Sequence, residues 1–180
     1  MYYLFSKQMI LSDTKAVKMD REKMNAIPDD AIIFGLLLII SNKMNTLLER
    51  EFKEFDVTTK QFFLSMTIDC LFDSPPTLKE VSRAMGSSHQ NVKQVALKLQ
   101  QKNLLTLEKD EKDSRITRLR MTGRSKDFWK QTDPKGAIFR EKMFKAMNSD
   151  DMKNTRDLLE KLLSNLSEIE NGVSDDSKNP

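Results

Sequence analysis

Residues 77–122, TLKEVSRAMGSSHQNVKQVALKLQQKNLLTLEKDEKDSRITRLRMT, decide the fold. Thr77 and Glu80 have the spacing of a capping box: the hydroxyl accepts the third helical N–H, and the carboxylate reaches back to the cap N–H. Pro75 and Pro76 keep the chain extended just ahead of that start. Leu78, Val81 and Met85 then share one helical face, and Gly86 supplies the left-handed residue that ends the helix. Ser87 and Gln90 repeat the box spacing at once, which predicts a second helix after a very tight turn. Its apolar positions, Val92, Val95, Ala96 and Leu99, recur at helical spacing. The opposite face carries His89, Gln90, Asn91, Lys93, Gln94 and Lys98, all able to bond bases or phosphates.

Two β-prone segments follow, 104–107 and 116–121. Thr117, Leu119 and Met121 alternate with Arg118 and Arg120, the period of a half-buried strand. Between the segments lies Glu-Lys-Asp-Glu-Lys-Asp-Ser-Arg, residues 108–115, too polar to bury. Helix, turn, helix, hairpin is the order of a winged helix-turn-helix, a unit that commonly reads DNA. The fold class is therefore mainly α (α+β), with a short hairpin as its only sheet.

Asp113-Ser114-Arg115, followed by Leu119, Met121 and Thr122, resembles the Asp-x-Arg wing signature of the MarR family, with Thr122 seven residues beyond the arginine. The resemblance takes in residues 57–70 as the family's second helix and 149–169 as its last, and covers roughly 30–170. It departs from the family in three places. Leu107 stands where many members carry an arginine, Asn103 where a glycine often follows the second helix, and Ser114 where a second basic residue is common. Asparagine also tolerates the left-handed conformation, so the fold survives that change. The resemblance implies a cytoplasmic bacterial or archaeal homodimer that represses transcription and is released by a small phenolic or aromatic effector.

Charge is distributed as a DNA reader requires. The whole chain carries only +3, yet residues 77–122 hold ten Lys/Arg against five Asp/Glu, and the remainder is net acidic. Other chemistries fit poorly. His89 is the single histidine, beside Ser87 and Ser88, with no orienting acid or oxyanion turn nearby. No Cys/His cluster has zinc spacing and no phosphate loop is present, so neither metal nor cofactor is expected and the chain does not read as an enzyme. One cysteine, Cys70, excludes an intrachain disulfide; at the end of an apolar helix it reads as a buried, inert thiol. The apolar run 31–40 is half the length a bilayer needs, so no membrane association is expected and it reads as a buried helix start.

The rest of the chain is helical. Asp29 or Asp30 is placed to cap a long helix through Ile40, Met44, Leu47, Leu48 and Phe52, and its apolar first half suggests burial between subunits. Thr58 and Gln61 form another box-like start. Residues 125–147 carry Phe128, Trp129, Ile138, Phe139, Met143 and Phe144, with Pro134 and Gly136 expected to kink or interrupt that helix. Ser149 is placed to cap a last helix whose Leu158, Leu159, Leu162, Leu163, Leu166 and Ile169 form a broad stripe. The expected organisation is an N-terminal arm, 1–29; long helical dimerisation segments, 30–56 and 123–169; the winged unit, 57–122; and a frayed polar tail, 170–180.

On this reading two chains place the helix 88–102 in successive major grooves of double-stranded DNA. Half-sites then lie about 34–36 Å apart. His89, Gln90, Asn91 and Gln94 are the candidates for base edges, and Ser87, Ser88, Lys93 and Lys98 for phosphates. Arg115, set by Asp113, is the candidate for the flanking minor groove. The rival reading is a winged helix reused as a protein-interaction module, favoured by Leu107 and the acidic wing tip.

Overall fold

The structure is a computed structural model that describes residues 27–176, with side chains to 172. It divides into two compact units, one ending at Thr122 and one beginning at Gly123. The expected arm, 1–29, falls almost wholly outside the described residues.

The first unit opens with α1, Asp29–Phe52, extended by a single 3₁₀ turn at Lys53–Phe55. Pro28 occupies the cap position and no side chain caps the helix. Asp29 and Asp30 lie instead in the first turn, where their charge still favours the positive end of the helix dipole. Phe52 is buried, and its ring meets that of Phe62 at 4.8 Å between centroids. That contact ties the end of α1 to Phe62. Asp56, left-handed at φ 53°, turns the chain into α2, Thr59–Leu71. The expected box is present there: Thr58 accepts from the Gln61 N–H, and Gln61 returns a bond to the Thr58 N–H.

Helix α2 buries Gln61, Leu64, Ser65, Thr67 and Ile68. This phase leaves Cys70 exposed, together with Phe63, Met66 and Leu71, so the thiol is not the buried one expected. Apolar residues on both faces of α2 hid the phase from the sequence. In the single chain Ile33, Phe34, Leu37, Leu38 and Ile40 of the 31–40 segment are exposed, Phe34 by 67%. Among the described residues, Asp29–Phe55 alone is long and apolar enough to cross a membrane by length and composition. Met44, Leu47 and Leu48 carry its apolar character past Ile40.

Helices α3, Leu78–Ala84, and α4, His89–Gln101, follow, and then the antiparallel pair β1, Leu105–Lys109, and β2, Thr117–Met121. Leu107 lies opposite Leu119 in this register, and Glu108 opposite Arg118. The unit's core is apolar and tight: Leu64, Val81, Val92, Ala96, Leu99, Leu104, Leu105 and Leu119 are almost fully enclosed. Burial of this kind contributes about 25 cal/mol per Å2 of apolar surface removed from water.

In the second unit, α5 spans Gly123–Phe144 and α6 spans Ser149–Asp176. Pro134 lies inside α5 without interrupting it. Proline's fixed φ is compatible with a helix, so α5 continues through it with one backbone donor fewer. The cap of α6 is Asn148, which exchanges side-chain bonds with Asp151 in both directions; Ser149 is the first helical residue. Helix α6 continues to Asp176, where the polar composition from 170 points to a tail. Its apolar stripe is open to solvent, with Leu163 exposed by 65%.

Candidate nucleic-acid interface

The candidate interface is built from α3, α4 and the β1–β2 hairpin. Helix α3 is held by a full capping box, since Thr77 accepts from the Glu80 N–H and Glu80 accepts from the Thr77 N–H. Hydrogen bonding by Thr77, through its backbone N–H first and its hydroxyl second, holds the Glu80 carboxyl below its ordinary range. Gly86, at φ 56°, then reverses the chain, and the Ser87 N–H donates back to the Ser82 carbonyl at 3.0 Å.

The cap of α4 is Ser88, whose hydroxyl accepts from the Asn91 N–H at 3.2 Å; Ser87 is spent in the turn. The box expected of Ser87 and Gln90 is thus shifted by one residue, with Asn91 at the third helical position. The shift follows from the left-handed turn, which takes Ser87 to close the preceding helix. It frees the Gln90 side chain from a capping duty.

Val92, Ala96 and Leu99 point into the core with Val95 half-buried, as their spacing predicts. Ser88, His89, Gln90, Asn91, Lys93, Gln94 and Lys98 are all exposed, and Ser87 is half-buried in the turn. The candidate residues on α4 therefore form one solvent-facing surface. No acidic residue lies in the first turn of α4. Indeed none occurs anywhere in residues 81–107, a stretch that carries Arg83, Lys93, Lys98 and Lys102. That run without acids is a signal in the sequence that motif reading passes over. It leaves the positive end of α4 uncompensated, a setting that favours phosphate. Lys79 and Arg83 are exposed on α3, one helical turn apart.

The hairpin is organised differently. Asp110 Oδ1 accepts from the N–H groups of Lys112 and Asp113, shaping the turn. Asp113 accepts from the backbone N–H of Arg115 and, with both oxygens, from its guanidinium at 3.1 and 3.2 Å. The Asp113–Arg115 pairing is thus formed, with the Arg115 side chain 89% exposed at the wing tip. Arg118 pairs with Asp110, and Arg120 with Glu108 at 2.8 Å. Each arginine holds its partner's carboxyl below the ordinary range, helped at Asp110 and Asp113 by backbone N–H groups and at Glu108 by the Thr106 hydroxyl. Lys109 and Lys112 are exposed and form no ion pair among the described residues.

Long-range bonds fix the hairpin and α4 in place. Arg118 also donates to the Pro75 carbonyl at 2.9 Å, and the Leu119 N–H to the Pro76 carbonyl at 2.8 Å. The wing is thereby stitched to the start of α3. Beyond the end of α4, Lys102 bonds the Asp56 carboxylate at 2.8 Å and the Asp56 carbonyl. Asn103 adopts φ 56°, the left-handed state expected of it in place of a glycine. Beside this clasp lies a groove of about 540 Å3, lined by Lys53, Lys98, Gln101, Glu49 and Gln61 among others. No group of three or more His, Cys, Asp or Glu able to hold a metal occurs among the described residues.

No family model and no curated protein matches the sequence. Solved structures do match in shape. The transcriptional regulator SlyA aligns with a TM-score of 0.69 at 14% identity, over 78% of this chain and 98% of that one. A MarR protein from Peptoclostridium difficile aligns at 0.68 and 19% identity, over 90% and 98%. MepR of S. aureus, solved in complex with DNA, aligns at 0.66 and 17% identity, over 74% and 97%. The capped helix pair, the stitched wing and the long flanking helices together give this chain the winged-helix fold of the MarR-type transcriptional regulators.

Proposed function

We propose that the protein is a sequence-specific double-stranded DNA-binding transcriptional regulator acting as a homodimer, and not an enzyme. The observation that carries this is α4: a capped, thirteen-residue helix whose outward face is free of acids and rich in amide side chains. Such a face suits a major groove. Asn91, Gln94, Gln90 and His89 meet base edges, Lys93, Lys98, Ser87 and Ser88 meet phosphates, and Arg115 enters the adjoining minor groove in the orientation Asp113 sets. Dimerisation covers the apolar residues that α1 and α6 leave exposed in a single chain. Occupancy of a promoter by the dimer represses transcription. Release by a small aromatic or phenolic acid belongs to this reading through the resemblance, and titrating such an acid into a bound complex should weaken it.

A mobility-shift assay and footprint on the DNA upstream of the protein's own gene test the proposal. A protected, roughly two-fold symmetric site with half-sites one DNA turn apart is expected. Binding that is equal on all duplexes and vanishes in moderate salt would sink it. The neutralised arginines of the wing favour a second reading, a winged helix that binds another protein and not DNA; it predicts no footprint at all.

A further inference from the structure

Leu97 does not fit a purely polar reading face. At 100° per residue, Gln90, Gln94, Leu97 and Gln101 fall on one narrow line along α4, opposite the buried Val92, Ala96 and Leu99. All four are exposed, Leu97 by 42%. Three of the four positions on this most outward line are glutamine, the side chain that bonds adenine at N6 and N7 together. The fourth is a branched aliphatic group held in water. Gln94 and Leu97 are separated by about 4.5 Å of helix rise, more than one base-pair step of about 3.4 Å and less than two.

We propose that Leu97 is a specificity-determining residue that packs on the 5-methyl group of a thymine, in the base pair next to the one Gln94 reads. Each half-site is then A·T-rich beneath α4, with glutamine amides on adenine and Leu97 on thymine. Apolar contact with the thymine methyl is the one major-groove feature an aliphatic side chain distinguishes. Placed there, Leu97 loses its exposed surface only when the protein is on DNA.

This inference rests on the DNA-binding reading, and the experiment separates the two. The full chain is used to enrich a duplex from a random pool, and that duplex is remade with uracil in place of thymine at each position in turn. Uracil removes one methyl group and leaves every hydrogen-bonding group intact. At one position per half-site the substitution should weaken wild-type binding about fourfold, the equivalent of one buried methyl. Leu97→Ala, at an exposed site where folding is not at stake, should bind the thymine and uracil duplexes to within about twofold of each other. If every uracil duplex binds as the parent does, or if the gap persists in Leu97→Ala, the assignment is overturned while the DNA-binding reading stands. If the pool yields no enriched sequence, both fall.

Discussion

Helix α4 and the wing are both exposed and both carry cations, yet those charges are in opposite states. On α4 the cations face solvent with no carboxylate in the sequence between residues 81 and 107 to answer them. In the wing, Arg115, Arg118 and Arg120 are each held by a carboxylate from the same hairpin. The difference shows what each region rests on. The helix takes its position from Val92, Ala96 and Leu99 in the core, so its face is left clear for a partner. The hairpin tip stands in solvent, so the wing takes its shape from ion pairs and Asx-type turns on its own surface.

The largest expected effect tests that contrast directly. Leu99→Ala should destabilise the first unit by about 2–5 kcal/mol in chemical denaturation, the cost of a cavity in a closed core. Arg120→Ala, which removes an exposed wing pair, should cost less than about 1 kcal/mol. Comparable losses would mean that the wing and helix are not held by different forces. Next in size, Asn91→Ala or Gln94→Ala should reduce discrimination between the operator and random DNA by about 1–3 kcal/mol. Equal weakening on both DNAs would show that these side chains meet phosphates and not bases.

Ser88→Ala should cost about 1 kcal/mol of stability through loss of the cap, whereas Ser87→Ala should cost less, a ranking that thermal unfolding resolves. Arg115→Ala should weaken operator binding and lower its salt slope by about one unit; an unchanged slope would remove Arg115 from the DNA contact. The smallest effect is one of pH. Asp110, Asp113 and Glu108 have folded-state pKa values below the ordinary carboxylate values of about 4. Their contribution is therefore complete above that range and is lost as pH falls through the lowered values. Amide protection in residues 108–115 should then fall once the pH drops below the ordinary carboxylate range, while α4 stays protected. Simultaneous loss of protection in both would contradict separate support.

How far the sequence could be read depended on the range of each interaction. The boxes at Thr58 and Thr77 span three residues, so spacing alone identified them. At Ser87-Ser88 two adjacent hydroxyls both had a plausible register, and the turn at Gly86 decided between them. The phase of α2, and with it the exposure of Cys70, depended on which of two apolar faces met α4. Arg118 reaches a carbonyl 43 residues away and Lys102 one 46 away, contacts with no local trace. On the candidate interface, the polar face of α4 was legible because burial of one side fixes the other. The pairing of the wing arginines was not, because the alternation of charges shows their number and not their partners.

In kinematic terms, the corner at Asp56 is a joint with its pin already in place. A non-glycine residue in the left-handed state carries a backbone cost of about 1–2 kcal/mol, and here the Lys102 ammonium grips both its side chain and its carbonyl. A displacement of the corner that ends α1 must therefore break its link to Lys102, the residue that follows the last turn of α4.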